Sequence, residues 1–118
     1  MKNVFSTALL DQLYAKRNLQ LEQERQALLA KIIQWLNEFG DRYGITTAYI
    51  FGSITQPQKF TQKSDIDIAV EQININDLFA VIGFVSEAVG RDVDVIEINK
   101  CHFANQIRQS GILWTTIN

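Results

Sequence analysis

Residues 49–53, YIFGS, and residues 65–70, DIDIAV, carry the strongest structural signal in this chain. Each contains an apolar run of β-branched or aromatic residues, which is typical of a buried strand. The first run stops at a small Gly-Ser pair, and the second opens with two carboxylates one residue apart. Because side chains alternate between the faces of a strand, Asp65 and Asp67 are predicted to share one face, with their Cα atoms about 6.6 Å apart. Such a pair can converge on one metal ion or share two ions about 3.5–4 Å apart.

A third carboxylate lies inside a later apolar run, VDVI at residues 93–96. Asp94 stands between two valines, where a charged side chain needs a functional reason. Asp92 lies on the same predicted strand face, at the mouth of the strand, so the spacing leaves both open and we choose Asp94. Grouping three carboxylates is unfavourable, because each pair at about 4 Å repels by about 1–4 kcal/mol. A bound cation or a raised aspartate pKa would relieve that repulsion.

Three elements in this order resemble the signature of the DNA-polymerase-β-like nucleotidyltransferase superfamily, and the small size of the chain resembles its minimal (MNT) branch. The elements are Gly52-Ser53, Asp65-x-Asp67 and Val93-Asp94-Val95. The resemblance covers about residues 45–117. A single Asp-x-Asp pair would be a weak signal, whereas three elements in matching strand contexts are specific.

The resemblance implies roles for these residues. Asp65 and Asp67 would bridge two Mg²⁺ ions, and Asp94 would hold the ion that activates the attacking hydroxyl. ATP would be the substrate, with its triphosphate close to the backbone of Gly52 and to the hydroxyl and N–H of Ser53. The predicted catalytic and metal-binding residues are therefore Asp65, Asp67 and Asp94.

The predicted phosphate site lacks the arginine and the glycine that the family pattern places after the Gly-Ser pair. Relatives commonly follow the Gly-Ser pair with an arginine and then a glycine, whereas residues 54–57, ITQP, provide neither. Lys63, or alternatively Lys59, is the candidate for the missing phosphate contact. Arg108 lies in a segment that shapes the nucleotide pocket in relatives. The predicted nucleotide-binding residues are thus Gly52, Ser53, Lys63 and Arg108.

Length, composition and charge restrict the class of protein. The chain has 118 residues, is 47% hydrophobic and 20% charged, and lacks an apolar run long enough to span a membrane. Its start lacks the apolar segment of a signal peptide, so we expect a cytoplasmic protein. The single cysteine, Cys101, excludes an internal disulfide. The net charge of −2 argues against direct nucleic-acid binding, which requires clustered Lys and Arg.

The order of predicted elements indicates an α/β (α+β) fold in one domain spanning residues 1–118. We predict helices over residues 5–39, 77–89 and 100–110, and strands over residues 45–51, 65–71, 92–98 and 112–117. The resemblance implies the nucleotidyltransferase fold, with a mixed sheet in which the second and third strands are neighbours. Residues 1–40 would form an N-terminal helical extension and residues 45–117 the catalytic core.

The predicted first helix is unusually long, and its two halves differ. Leu28, Ile32 and Leu36 belong to a strong apolar stripe in the second half, whereas residues 20–26 are mostly polar. We therefore expect the second half to pack on the domain and the first half to project, to bend near residues 17–24, or to meet a partner chain. A solvated helix is the favoured interpretation, and a homo-oligomer formed through this helix is the alternative.

The leading functional hypothesis follows from the resemblance. Many stand-alone minimal nucleotidyltransferase domains resemble antitoxins paired with a HEPN-domain ribonuclease, in which the transferase moves AMP from ATP to a tyrosine hydroxyl of the toxin. Because a chain this short has no room for an acceptor domain, the acceptor would be a separate protein, the cognate HEPN toxin. The alternative is a binding module with a weakened site that neutralises its partner by occlusion.

Two further classes disagree with the sequence context. In haloacid-dehalogenase-like phosphatases the Asp-x-Asp pair follows an apolar strand, whereas here Asp65 follows the polar residues 61–64 and precedes one. A template-dependent polymerase requires a basic groove or a thumb domain, and neither is predicted in this chain. The nucleotidyltransferase hypothesis is therefore the one that the motifs favour.

Overall fold

The computed structural model describes residues 7–116, so the predicted start of the first helix at residue 5 and the predicted end of the last strand at residue 117 lie outside the described residues. This range contains three α-helices and four strands. They are α1 (Thr7–Phe39), β1 (Thr47–Phe51), β2 (Ile66–Val70), α2 (Leu78–Val89), β3 (Val93–Glu97), α3 (Ala104–Ser110) and β4 (Ile112–Thr115). Each predicted element is present. α3 begins later than predicted, because Ile98–Lys100 forms a separate 3₁₀ turn.

The four strands form one mixed sheet in the order β3-β2-β1-β4. β2 and β3 are parallel neighbours, whereas β1 pairs antiparallel with both β2 and β4. Parallel neighbours require a crossover connection, and α2 supplies it between β2 and β3. The predicted mixed sheet, flanked by helices and with the second and third strands adjacent, is confirmed.

The two faces of the sheet are covered to different extents. α2 and the second half of α1 cover one face, where Ile66 and Ile68 of β2 are 0% and 2% exposed. The short α3 covers part of the other face through a small cluster of Ala69, Ile98 and Ile107. Because side chains alternate along a strand, the residues between the buried isoleucines of β2 point to this second, more open face.

The long helix α1 packs on the sheet through its second half only. It is continuous over 33 residues, about 50 Å, without a break near residues 17–24. Ile32 and Leu36 are 0% and 2% exposed, whereas Leu13 and Tyr14 in the first half are 54% and 62% exposed. The first half therefore projects from the domain, as one of the predicted alternatives states. Self-association through this half stays a prediction.

The difference between the two halves of α1 predicts unequal effects of two similar substitutions. Ile32→Ala is expected to lower the free energy of unfolding by about 2–5 kcal/mol, because it leaves a cavity where a fully buried side chain was packed. Leu13→Ala is the matched control in the same helix, with an expected change within about 0.5 kcal/mol at low protein concentration. Urea unfolding followed by circular dichroism measures both values. Equal losses would contradict this account of α1, and a Leu13→Ala loss that grows with protein concentration would show self-association.

Candidate active site

The end of β1 forms a backbone corner directly beside Asp67. Phe51, the last residue of β1, is the cross-strand partner of Asp67, and Gly52 follows it. Gly52 has φ 86° and ψ −160°, a conformation essentially restricted to glycine. A Cβ atom at this position would lie 2.6 Å from Oδ2 of Asp67. Glycine is therefore required at position 52 for two reasons, the backbone conformation and the close approach to the carboxylate.

A tight turn holds the residue that follows this corner. Ser53–Thr55 is a 3₁₀ turn in which the backbone N–H and the hydroxyl of Thr55 both donate to the carbonyl of Gly52, at 3.1 and 2.8 Å. Ser53 is half-buried within this turn. The structure thus places Gly52 against Asp67 and Ser53 immediately beyond that contact, at the end of β1 where the sequence predicts a phosphate-binding corner.

The structure brings two of the predicted carboxylates side by side. Asp67 of β2 and Asp94 of β3 are register partners in the parallel pair, so their backbones are about 4.8 Å apart and their side chains leave the same face of the sheet. Asp65 lies two residues before Asp67 and just before β2 begins, and it is exposed like Asp94. Asp67 and Asp94 therefore share the open face next to Gly52, and Asp65 lies near enough for its charge to raise the pKa of Asp67.

The electrostatics of this group are unfavourable without a cation. Burial raises the pKa of Asp67, and the negative charges of Asp94 and Asp65 raise it further. Within residues 7–116, none of the three aspartates forms an ion pair. The ion pairs in this part of the chain are Arg25–Glu22, Arg91–Glu24, Lys100–Glu97 and Arg108–Glu71. Within the described residues, the mutual repulsion of the aspartates is thus not offset by an ion pair with a lysine or arginine.

These carboxylates fit a metal ion whose coordination is completed by substrate. In the described part of the chain, no group of three or more His, Cys, Asp or Glu side chains is gathered tightly enough to hold an ion alone. Mg²⁺ rarely needs such a cage, because it usually takes one or two carboxylates together with phosphate oxygens and water. The adjacent Asp67 and Asp94 supply two carboxylates, Asp65 lies near them as a third, and their unpaired charge favours a cation.

The raised pKa of Asp67 predicts how stability depends on pH. The folded protein holds this proton more tightly than the unfolded chain, so the contribution of Asp67 to stability is present at acid pH. It is lost as the pH rises from the ordinary aspartate value of 3.8 through the raised folded pKa. Asp67→Asn removes this titration, so the variant should gain stability relative to wild type across that window. Urea unfolding of both proteins at a series of pH values tests this, and a constant difference would contradict it.

The register also distinguishes Asp94 from the alternative Asp92. Asp94 is the direct neighbour of Asp67, whereas Asp92 lies before β3 and contributes its backbone carbonyl to the N–H of Ile66 at 3.0 Å. Asp92 lines a groove of about 570 Å³ at the start of β2 and β3, together with Lys63 and Asp65. This geometry favours Asp94 as the third carboxylate of the site.

The two predicted cationic nucleotide-binding residues occupy different places. Lys63 is exposed beside Asp65 and forms no ion pair within residues 7–116. Arg108 donates to both carboxylate oxygens of Glu71, at 2.8 Å each, and Glu71 lies four residues beyond Asp67, about 13 Å along the strand direction. The structure therefore does not bring Arg108 to the aspartates. Nucleotide binding by Lys63 and Arg108 stays a prediction.

A cavity next to the corner contains residues that the sequence analysis missed. It has a volume of about 410 Å³, lies between the corner and α3, and is lined in part by Gly52, Gln56, Phe103 and Gln106. An aromatic ring and two amide groups can contact the flat face and the polar edge of a nucleoside base. Neither glutamine belongs to a motif, so only knowledge of which segments meet in space could have revealed them.

A family model described as "Polymerase beta, Nucleotidyltransferase" matches residues 30–116. The chain therefore belongs to this nucleotidyltransferase family, and the resemblance inferred from its motifs is confirmed. The match includes all four strands and begins inside α1, so the first 29 residues lie outside it. None of the helices within residues 7–116 has the length and apolarity that a membrane crossing requires.

Two solved structures similar to this chain contain toxin–antitoxin pairs. One is described as the crystal structure of a toxin-antitoxin with AMP-PNP, with a TM-score of 0.57 and 26% identity over 74% of this chain and 73% of that chain. The other is a toxin-antitoxin MntA-HpeT crystal structure with a tyrosine-to-alanine mutation, with a TM-score of 0.56 and 26% identity over 75% and 72% of the two chains. No curated protein matches the chain.

Proposed function

We propose that this protein is a Mg²⁺-dependent nucleotidyltransferase that transfers AMP from ATP to a hydroxyl of a separate protein. The observation that carries this proposal is the pair of neighbouring carboxylates, Asp67 and Asp94, which form no ion pair within the described residues and of which Asp67 lies beside Gly52. Family membership supports the reaction class. The AMP-PNP in one similar structure supports ATP as the substrate.

The proposed reaction uses the corner to hold the triphosphate and the carboxylates to gather cations. The acceptor oxygen forms a bond to the α-phosphorus, the bond to the bridging oxygen breaks, pyrophosphate leaves, and the hydroxyl proton passes to solvent. Bound Mg²⁺ ions, two by the family resemblance, would stabilise the charge on both the attacking and the leaving oxygen. Asp65 and Asp67 would hold both ions and Asp94 the one nearer the acceptor, while Ser53 would donate to the triphosphate.

We further propose that the acceptor is a tyrosine of a cognate HEPN-type ribonuclease toxin and that the protein acts as its antitoxin. The toxin–antitoxin character of the similar structures supports a toxin as partner. Asp65 and Asp94 are exposed, so a side chain on another protein can approach them. In this proposal residues 45–117 are the catalytic core of a single cytoplasmic domain, and residues 1–40 are its helical extension.

The test is transfer of label from α-³²P-ATP to a co-expressed partner protein in the presence of Mg²⁺. We expect labelled partner with the wild-type chain, loss of label when EDTA removes the metal, and a mass increase of the partner that matches whole AMP units. Label on the partner from γ-³²P-ATP, or transfer that is unchanged in EDTA, would contradict the proposal.

The alternative, neutralisation of a partner by occlusion, is favoured by one observation. The segment after Ser53 lacks the usual arginine, and the structure holds Arg108 on Glu71 rather than beside the aspartates. Occlusion requires binding but no chemistry. An Asp67→Asn, Asp94→Asn double variant that still binds and neutralises the partner would support occlusion, whereas a variant that binds but fails to neutralise supports transfer.

A further inference from the structure

Two arginines hold the opposite ends of the segment that connects the phosphate-binding corner to the carboxylates. This segment, residues 54–64, is here called the spacer; Gly52-Ser53 precedes it and Asp65 follows it. Nη1 of Arg25 donates to the carbonyl of Ile54, the first spacer residue, at 2.9 Å. Nη1 of Arg91 donates to the carbonyl of Ser64, the last spacer residue, at 2.9 Å. Each guanidinium thus contacts the backbone within one or two residues of a proposed functional group.

Arg25 is an unusual residue for its place in α1. It is 7% exposed, and it is the one charged side chain classed as buried among residues 7–116. Its Nε and Nη2 donate to the two carboxylate oxygens of Glu22 at 2.8 and 2.6 Å, which hold the pKa of Glu22 down at about 2. A buried charge is costly unless it is fully paired, so this arrangement fixes the guanidinium, and with it the Ile54 carbonyl, in one position.

Arg91 holds the other end of the spacer in a similar way. Its guanidinium lies 4.8 Å from the ring centre of Phe60, a buried spacer residue, and also donates to the carbonyl of Thr61 at 3.1 Å. Its Nη2 is paired with Glu24 of α1 at 2.5 Å. Both arginines are therefore tied to one turn of α1, residues 22–25, which lies outside the family match.

We propose that Arg25 and Arg91 are positioning residues of the transferase site: Arg25 fixes the Gly52-Ser53 corner through Ile54, and Arg91 fixes Asp65 through Ser64. This inference rests on the proposed function. Pairing of Phe51 with Asp67 fixes the strand ends, but Ser53 and Asp65 lie outside the strands, at the two ends of an eleven-residue spacer with little regular structure. Their exact positions therefore depend on contacts that restrain the spacer at both ends. The arginines supply that restraint from outside the site, without touching the substrate.

Kinetic constants separate this role from a purely structural one. Arg25→Gln should raise the KM for ATP about tenfold, because a charged hydrogen bond that orders the triphosphate corner is lost. In Arg91→Gln, the Mg²⁺ concentration that gives half-maximal rate should rise about tenfold, because the position of Asp65 is no longer fixed through Ser64. Loss of correctly folded protein alone would lower kcat and leave both of these concentrations unchanged.

Conservative variants and a matched control complete the experiment. Arg25→Lys should restore the KM in part, since an ammonium keeps one donor for the Ile54 carbonyl but loses the two-point contact with Glu22. Arg91→Lys should restore little, since a single ammonium cannot replace a fork that contacts two carbonyls, a ring and Glu24. Arg42→Gln, which removes an exposed arginine 5.6 Å from the ring centre of Phe39, should leave both constants unchanged. Amide hydrogen exchange of residues 54–64 should accelerate in both glutamine variants.

The possible results distinguish this inference from the proposed function. Normal transfer by wild type together with an unchanged KM, an unchanged Mg²⁺ requirement and unchanged spacer exchange in the glutamine variants would overturn the inference alone. A wild-type chain that neither binds Mg²⁺–AMP-PNP nor transfers AMP would overturn both. Shifts in these two constants with melting temperatures close to wild type would support the positioning role.

Discussion

Asp67→Asn is expected to reduce AMP transfer by at least about a thousandfold while leaving the fold intact. Asp67 lies between Asp94 and the Gly52 corner, so it contributes a central carboxylate oxygen to the proposed metal site. Stabilisation of transition-state charge by a metal ion is worth several kcal/mol, and about 1.4 kcal/mol corresponds to a factor of ten in rate. Single-turnover rates with α-³²P-ATP and the partner measure the loss, and urea unfolding confirms that the variant is folded.

The matched control for this prediction is Asp92→Asn. Asp92 is an exposed aspartate at the same edge of the sheet, but it lies before β3 and is not the register partner of Asp67. We expect Asp92→Asn to retain a rate within a few-fold of wild type and Asp94→Asn to lose activity as Asp67→Asn does. The reverse order of Asp92 and Asp94 would mean that the third carboxylate has been assigned to the wrong residue.

Gly52→Ala is expected to damage both stability and activity. The conformation at Gly52 costs a residue with a side chain about 1–3 kcal/mol, and the added Cβ would also lie 2.6 Å from Oδ2 of Asp67. To relieve that collision, either the backbone at Gly52 or the carboxylate of Asp67 must move. We therefore expect a loss of about 1–3 kcal/mol in unfolding free energy and a fall in transfer rate of about a hundredfold or more, since small displacements of reacting groups have effects of that size.

Alanine substitutions at two other glycines distinguish the cost of the backbone conformation at Gly52 from the effect of the collision with Asp67. Gly90 also has a positive φ, 73°, but a Cβ there would meet nothing within 4 Å, so Gly90→Ala should lose stability without losing rate per folded molecule. Gly83 lies inside α2 with open space around it, so Gly83→Ala should raise stability by about 0.5–1 kcal/mol. A Gly52→Ala variant whose rate per folded molecule equals that of Gly90→Ala would show that the corner is not part of the site.

Much of the fold follows from local pattern, and the residues that show this are those of β2 and β3. Ile66 and Ile68 alternate with Asp67, and alternation on a strand determines which side chains meet the core and which meet the open face. The second half of α1 has an apolar stripe, and Gly90 lies where the predicted second helix stops. The neighbour relation of β2 and β3 came from the family resemblance, because nothing in the sequence of either strand specifies its partner.

The contacts that cross the fold could not be predicted from spacing. The polar composition of residues 20–26 does not indicate the burial of Arg25 against the carbonyl of Ile54, because that partner is 29 residues away in sequence. The place of Arg108 after the third strand predicts a nucleotide contact, and no local signal indicates its pairing with Glu71. Choice between Asp92 and Asp94 likewise needed the register between two strands.

The most direct test of the central claim is a crystal structure of the protein with Mn²⁺ and AMP-PNP, in which anomalous scattering locates the metal. We expect an anomalous peak within about 2.5 Å of carboxylate oxygens of Asp67 and Asp94, with the triphosphate against the backbone of Gly52 and Ser53. A metal and nucleotide bound elsewhere on the protein, with Asp67 and Asp94 free of both, would contradict it.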